Sequence, residues 1–436
     1  MVTGVESGRC RGPSAGCDSS WVAVTNSLDA GPSTRVGRHR NPEHSSWRDR
    51  VDPDWTRAAA YCLLVYLCVR VALLALGLLA VALLPMQIPV GVPGWPAQPQ
   101  TGGWHNAITA WERADALWFL RIASTGYRVD DSSAAFFPLF PLLVRAVGWL
   151  AGGRYLLAGF VVSNLALLSG LVVLYKLTAE EFSDQLARRC VLYLCLFPTA
   201  FFLFAPFSES LFLAFVVGSL YAARHQRWLL AGGLGAGAAL TRSVGILLCA
   251  VLAVEALHQL RSGPRHPAAL LVRLVGSAVP ALGTLSYLAC WQLQGSGWLT
   301  PFRAQGGWDR HPSAPWQTLL AGFRSGTDNL GSYPGGYWTL DLLLVALALA
   351  LAVWVARRAR PTFGAYAWLS LLFPLLFMFA GRPLMSMPRF LLPIFPLFWA
   401  LARFSERYKA HDLVVGVSAA GLALVGALAI SWLPIF

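Results

Sequence analysis

The sequence predicts an all-α membrane protein: a polytopic bundle of about eleven transmembrane helices, with juxtamembrane helices along its outer face. Three observations predict it. Apolar residues make up 56% of the 436-residue chain and charged residues only 13%, about half the roughly 25% of ordinary globular domains. The apolar residues come in unbroken runs, as in 56–85 (TRAAAYCLLVYLCVRVALLALGLLAVALLP), where Arg70 is the one charge near the middle. A hydrocarbon span needs roughly 20 such residues. Finally, these runs lack the polar face that recurs every three or four positions in a soluble amphipathic helix.

In chain order, residues 1–55 are polar, rich in Gly, Ser, Pro and Arg, and aperiodic, as expected of a disordered tail. They hold no early apolar core, so the first span is read as uncleaved. Arg35, Arg38, Arg40, Arg48, Arg50 and Arg57 stand before it or at its start, placing the N-terminus in the cytoplasm. Further spans are expected near 155–175, 188–205, 208–223, 228–241, 243–260, 268–293, 338–356, 362–380, 388–404 and 412–434. With this parity the inner connections carry Lys176, Arg188 and Arg189; Arg224 and Arg227; Arg261, Arg265 and Arg273; Arg357, Arg358 and Arg360; and Arg403, Arg407 and Lys409. Every short inner connection is basic. Counting 134–151 (AAFFPLFPLLVRAVGWLA) as a span would invert all of them. Its Pro138, Pro141 and Arg145 suit a helix lying at the interface. Two large outer regions remain, about 86–154 and 294–337, both rich in aromatics and long enough to carry function.

The net charge of +13 is accounted for by these inner connections and does not indicate nucleic acid. Cys62, Cys68, Cys190, Cys195, Cys249 and Cys290 lie in or at the ends of apolar runs, and Cys10 and Cys17 fit no zinc spacing. All eight are read as inert. There is no Walker loop and no dinucleotide fingerprint, so an enzyme working on the outer face would use a donor already carried across on a lipid.

Five charged residues on the outer side are candidates for chemistry. Asp115 opens an aromatic stretch three residues after Glu112. A carboxylate partly desolvated at a membrane surface is suited to accept a proton, although Asp near a helix start is also an ordinary cap. Glu209 sits in a Pro-containing turn between two spans, where an acid is costly and seldom idle. It either binds a sugar hydroxyl or caps the following helix. Arg242, Arg382 and Arg389 run against the positive-inside bias. Their planar forks match phosphate oxygens, the alternative being snorkelling to headgroups. Two acids in separate outer loops leave a divalent cation open as a cofactor.

Four blocks resemble the PIG-V-type mannosyltransferases of the GT-C superfamily. They are 115–127 (DALWFLRIASTGY), 136–143 (FFPLFPLL), 197–212 (FPTAFFLFAPFSESLF) and 387–390 (MPRF), with 239–242 (ALTR) a weaker match. The likeness runs from about residue 56 to the C-terminus. It implies a GT-C-like fold and transfer of mannose from polyprenyl-phosphate-mannose, with inversion, to a glycolipid or protein acceptor. Asp115 would be the general base. Glu209, Arg242, Arg382, Arg389, Trp118 and Tyr127 would bind substrate, Arg389 with Arg242 or Arg382 neutralising the leaving phosphate. The chain departs from the family at Ala114, where a Trp is usual. The Ala-, Gly- and Arg-rich composition fits a high-GC bacterium, so the expected setting is a bacterial plasma membrane and a cell-envelope acceptor. A lipid-linked-sugar flippase is the alternative from another class, with Arg70 its one midplane charge. A catalytically inactive membrane scaffold is the third reading.

Overall fold

The computed structural model describes residues 53–96, 103–262, 267–332 and 336–433. The expected N-terminal tail, with Cys10 and Cys17, lies outside the described residues except for its last three positions, which already belong to the first helix. Helix α1 covers Pro53–Leu83. The stretch expected as the first outer region holds α2 (Asn106–Thr109), α3 (Asp115–Thr125) and α4 (Leu139–Leu150). Next come α5 (Tyr155–Glu181), α6 (Asp184–Leu196), α7 (Glu209–Arg224), α8 (Trp228–Thr241), α9 (Leu248–Ser262) and α10 (Pro267–Leu293). The stretch expected as the second outer region carries α11 (Thr300–Arg303), strand β1 (Arg310–Pro312) and α12 (Pro315–Asp328). The chain ends with α13 (Gly336–Arg358), α14 (Pro361–Leu372), strand β2 (Phe377–Phe379), α15 (Met387–Phe390), α16 (Pro396–Arg407) and α17 (His411–Ile430).

Among the described residues, six helices are long and apolar enough to cross a membrane: 54–83, 155–181, 243–261, 267–293, 336–358 and 411–430. Each matches an expected span. The other five expected spans are α6, α7, α8, α14 and α16, of 13, 16, 14, 12 and 12 residues. Prolines explain most of the shortening. Pro198 ends α6 before a turn at 200–203, Pro374 ends α14 before β2, and Pro393 separates α15 from α16, because a proline removes a helical donor and clashes with the preceding turn. Helix α4, at 12 residues, is about 18 Å long at 1.5 Å per residue. That is too short for a core about 30 Å thick.

Broken helices are tolerated within a membrane only where other protein groups meet the freed backbone, and here side chains on neighbouring elements do so. Asn164 Nδ2 donates to Phe204 O (2.9 Å), Ser163 Oγ to Phe207 O (3.0 Å) and Ser210 Oγ to Leu203 O (2.7 Å). Thr199 Oγ1 donates to Pro388 O (2.9 Å), Tyr366 OH to Pro393 O (2.7 Å) and Thr318 Oγ1 to Leu375 O (2.8 Å). The breaks are therefore specified, and they carry the charged residues described below. Close helix approach supports the same region: a Cβ on Gly276 would lie 2.5 Å from Trp228 O, and one on Gly283 2.4 Å from Ala236 O, so α8 and α10 meet backbone to backbone.

Charges gather at both ends of α7. At its C-terminal end Arg224 pairs with Glu181, which also accepts from Arg360 Nε (3.1 Å), while Glu255 accepts from Thr362 Oγ1 (2.5 Å). Glu209 opens the helix at the other end, about 24 Å away over 16 residues. Arg70 packs over the rings of Tyr66 and Phe204, 5.4 and 4.8 Å from their centroids. The cysteines at 62, 68, 190, 195, 249 and 290 are all free thiols.

Candidate active site

A cavity of about 510 Å³ opens at the Glu209 end of α7. Asp115, Arg242, Arg310 and Arg389 all line it, within walls supplied largely by aromatics such as Phe136, Phe202, Trp308 and Phe390. The first residue of α3, Asp115, keeps 28% of its side chain exposed. Its Oδ2 accepts from Arg389 Nη1 at 2.5 Å. The Nε of Arg389 donates to Glu209 Oε1, and Arg242 Nη1 donates to that same oxygen at 2.6 Å and to Ser208 Oγ at 3.2 Å. A continuous chain of ion pairs thus runs from Asp115 through Arg389 and Glu209 to Arg242. Glu209 is 1% exposed and does not line the cavity. It sits behind the two arginines and holds both at the wall. Its Oε2 is buried with no hydrogen-bond partner.

Aromatic faces complete the cradle. The Arg389 guanidinium lies 4.7 Å from the Phe202 ring and 4.9 Å from that of Phe207. Phe390 carries Arg242 at 5.5 Å and Arg310 at 5.6 Å. Cations over ring faces are attracted by the ring quadrupole, and the rings exclude water that would screen the charges. The backbone is strained beside the charged groups. Ala114 (φ 48°), Asp309 (φ 51°) and Ser386 (φ 67°) stand one, one and three residues before Asp115, Arg310 and Arg389. Non-glycine residues held at positive φ are uncommon and cluster where the surrounding structure over-determines them for function.

The sequence-predicted residues divide. Asp115, Glu209, Arg242 and Arg389 converge. Arg382 does not: its Nε and Nη2 donate to Asp341 Oδ2 (2.6 Å) and Oδ1 (2.8 Å), and it does not line the cavity. Trp118 and Tyr127 also stand behind the wall. Trp118 stacks on Phe136 at 5.6 Å and meets Trp308 at 5.7 Å, while Tyr127 OH donates to Phe136 O at 2.8 Å. They set the positions of wall residues. Asp115 and Glu209 are joined through Arg389, whose guanidinium lies between the two carboxylates. Among the described residues no group of three or more His, Cys, Asp or Glu side chains has metal-binding geometry.

Three residues escaped the sequence reading. Arg310 lies in the stretch expected as the second outer region, on the β1–β2 pair that matches Arg310 with Phe379. Burial lowers its pKa to about 10, with Asp115 acting in the opposite direction. The aromatic richness of that region marked it as functional without singling out one residue. Asp341 was detectable as an acid inside an apolar helix, which calls for a partner. Arg113 lines the cavity, donating from Nη2 to Ile430 O at 3.0 Å beneath the Trp432 ring at 4.3 Å. Beside it, burial raises the Glu112 carboxyl, against the lowering effect of its hydrogen bond from Trp95 Nε1 (2.7 Å).

Residues 99–262 match the family model described as mannosyltransferase (PIG-V). The chain is 33% identical over 219 residues to a GPI mannosyltransferase 2 of Chaetomium globosum, covering 41% of this chain and 46% of that protein. To a GPI mannosyltransferase 2 of Cryptococcus neoformans it is 31% identical over 147 residues, 31% of this chain and 34% of that one. The chain thus spans less than half the length of these curated relatives. Among solved structures, ArnT of Cupriavidus metallidurans bound to undecaprenyl phosphate aligns with a TM-score of 0.47 at 14% identity, covering 85% of this chain and 76% of that one. The archaeal oligosaccharyltransferase AglB of Archaeoglobus fulgidus, in complex with an inhibitory peptide and a dolichol-phosphate, aligns with a TM-score of 0.42 at 11% identity, covering 89% and 57%. The likeness to PIG-V-type mannosyltransferases read from the motifs is borne out over residues 99–262, a segment that carries Asp115, Glu209 and Arg242 and ends before Arg310 and Arg389.

Proposed function

We propose that this chain is a membrane mannosyltransferase that moves mannose, with inversion, from polyprenyl-phosphate-mannose to an acceptor hydroxyl. The observation that carries the reading is the meeting of Asp115 and Arg389 in one aromatic-walled cavity, with Arg242 anchored through Glu209 to the same guanidinium. Asp115 is the proton acceptor. The acceptor oxygen attacks the anomeric carbon, its proton passes to Asp115, and the bond from that carbon to the phosphate oxygen breaks. The lipid phosphate leaves with one more negative charge than it carried in the donor, and Arg389 and Arg242 are the guanidiniums placed to meet it. Arg389 then has two tasks. It holds Asp115 at rest, and it turns to the phosphate when donor binds, freeing the carboxylate for the acceptor hydroxyl.

The reaction is assigned to the outer face of the membrane, with the N-terminus inside. The acceptor is read as a glycolipid or protein of the cell envelope, reached in a bacterial plasma membrane. The ion-pair chain at one end of α7 and the basic connections at the other support this sidedness. Arg70 packs against rings and is absent from the cavity wall, so the flippase reading gains no charged midplane path from it.

The test is transfer of radiolabelled mannose from polyprenyl-phosphate-mannose by purified, reconstituted protein. Asp115→Asn keeps the shape and removes the base, and should abolish transfer while the protein stays folded. Wild-type turnover in that variant would sink the mechanism. Movement of lipid-linked sugar between leaflets without a new glycosidic bond would establish the flippase instead.

A further inference from the structure

We propose that Arg310 is a third phosphate ligand of this cavity, matched to the extra negative charge that the carrier lipid's phosphate acquires as it leaves. The inference rests on the polyprenyl-phosphate reading above and names a residue outside its motifs.

Arg310 has no carboxylate in ion-pair contact, and Asp115 acts on it only from beyond that distance. Its Nη1 donates to the neutral Gln305 Oε1 at 3.3 Å, and its Nε is buried with no hydrogen-bond partner. Among the described residues no carboxylate lies within ion-pair distance of it, whereas Arg242 and Arg389 both have one. Its other contacts are the faces of Phe379 at 4.6 Å and Phe390 at 5.6 Å. The Phe390 ring carries Arg242 as well, so two like charges share one aromatic contact in the cavity wall. Antiparallel pairing of residues 310–312 with 377–379 keeps the second guanidinium there.

The charge balance indicates what the site takes. Arg113, the fourth guanidinium on the wall, is tied to Ile430 O beneath the Trp432 ring; the other three, on Arg242, Arg310 and Arg389, are set against two carboxylates, Asp115 on the wall and Glu209 behind it, leaving one positive charge in excess. A buried unpaired charge is costly and is normally met by a counter-ion or ligand. A sugar phosphodiester carries one negative charge, whereas the phosphate monoester left after transfer carries close to two at neutral pH. The Arg389–Asp115 pair opens to receive the diester charge, and Arg310 supplies the charge that meets the second. Such a group stabilises the leaving state more than the bound donor, which is the requirement for lowering a barrier.

The test measures binding of polyprenyl phosphate to the full chain in detergent, with uncharged polyprenol as the reference. Arg310→Gln should weaken phosphate binding by about tenfold or more and leave polyprenol binding unchanged, since a hydrogen bond to a charged group is the interaction lost. Arg310→Lys keeps the charge without the fork and should fall between, about threefold weaker. Thermal unfolding without ligand should be no lower for Arg310→Gln than for wild type, because an uncompensated charge has been removed. Should the glutamine variant fail to fold, the lysine variant decides alone, and wild-type binding by it overturns the assignment. If Arg389→Gln loses binding while both Arg310 variants keep it, Arg310 is not a ligand and the wider reading stands. If the wild type does not bind polyprenyl phosphate, the donor reading fails and this inference falls with it. Displacement by an equal concentration of phosphatidylglycerol would assign the site to bulk headgroups and overturn the assignment to the carrier.

Discussion

Replacing Glu209 with glutamine isolates the residue that holds two arginines at the cavity. The side chain keeps its length and one carbonyl oxygen, so packing at a position 1% exposed is preserved. What disappears is the negative charge that Arg389 Nε and Arg242 Nη1 share at one oxygen. The Arg389 and Glu209 side chains are 6% and 1% exposed, so solvent screens little of the loss. Removing one partner of a buried ion pair costs roughly 3–5 kcal/mol, and this carboxylate serves two. The unliganded variant should therefore unfold at markedly lower temperature or denaturant. An anionic ligand supplies what the mutation removed, so polyprenyl phosphate should raise the midpoint of Glu209→Gln by more than it raises that of wild type. Thermal unfolding of purified protein in detergent, with and without polyprenyl phosphate, measures both effects. Equal midpoints without ligand would refute the claim that Glu209 compensates the two guanidiniums. Equal ligand-induced shifts would refute the claim that phosphate occupies the same field.

Three further outcomes follow from the geometry. Asp341→Leu alone should cost roughly 3–5 kcal/mol by taking the counter-charge from Arg382, whereas Asp341→Leu with Arg382→Met should restore most of it; chemical unfolding of both variants checks this, and equal losses would refute the claim that the pair is what Asp341 contributes. Ala114 holds φ 48° and ψ −127°, a region costing a non-glycine residue about 1–3 kcal/mol, so Ala114→Gly should gain stability after about 0.5–1 kcal/mol of added chain entropy, and a less stable variant would show that the strain is not there. Burial raises Glu112 above its ordinary value, so the folded state holds its proton more tightly than the unfolded chain does. That contribution is complete below the ordinary carboxylate range and is lost as pH rises through the raised value. Glu112→Gln should therefore gain on wild type in paired unfolding midpoints as pH rises above the ordinary carboxylate value of about 4.3, and a constant difference would sink the assignment.

Some of this molecule was written locally. The six long apolar helices were legible because a run of about twenty mostly apolar residues needs no distant partner to be recognised. The prolines at 198, 374 and 393 were equally visible, but not their consequence, since a break survives only where Asn164, Thr199 or Tyr366 reaches across to its carbonyl. The candidate site followed the same division. Residue type and position nominated Asp115, Glu209, Arg242 and Arg389, whereas their meeting joins residues 274 and 180 positions apart. The same reasoning nominated Arg382, which pairs with Asp341, and passed over Arg310, which reaches the cavity through a strand pairing with residues 377–379. Hydrophobic length and chain breaks are properties of neighbours in sequence, so the sequence determined them. Which charge faces which is set by long-range packing, where each buried ion takes the partner that the fold brings within reach, and the tertiary structure alone decided it.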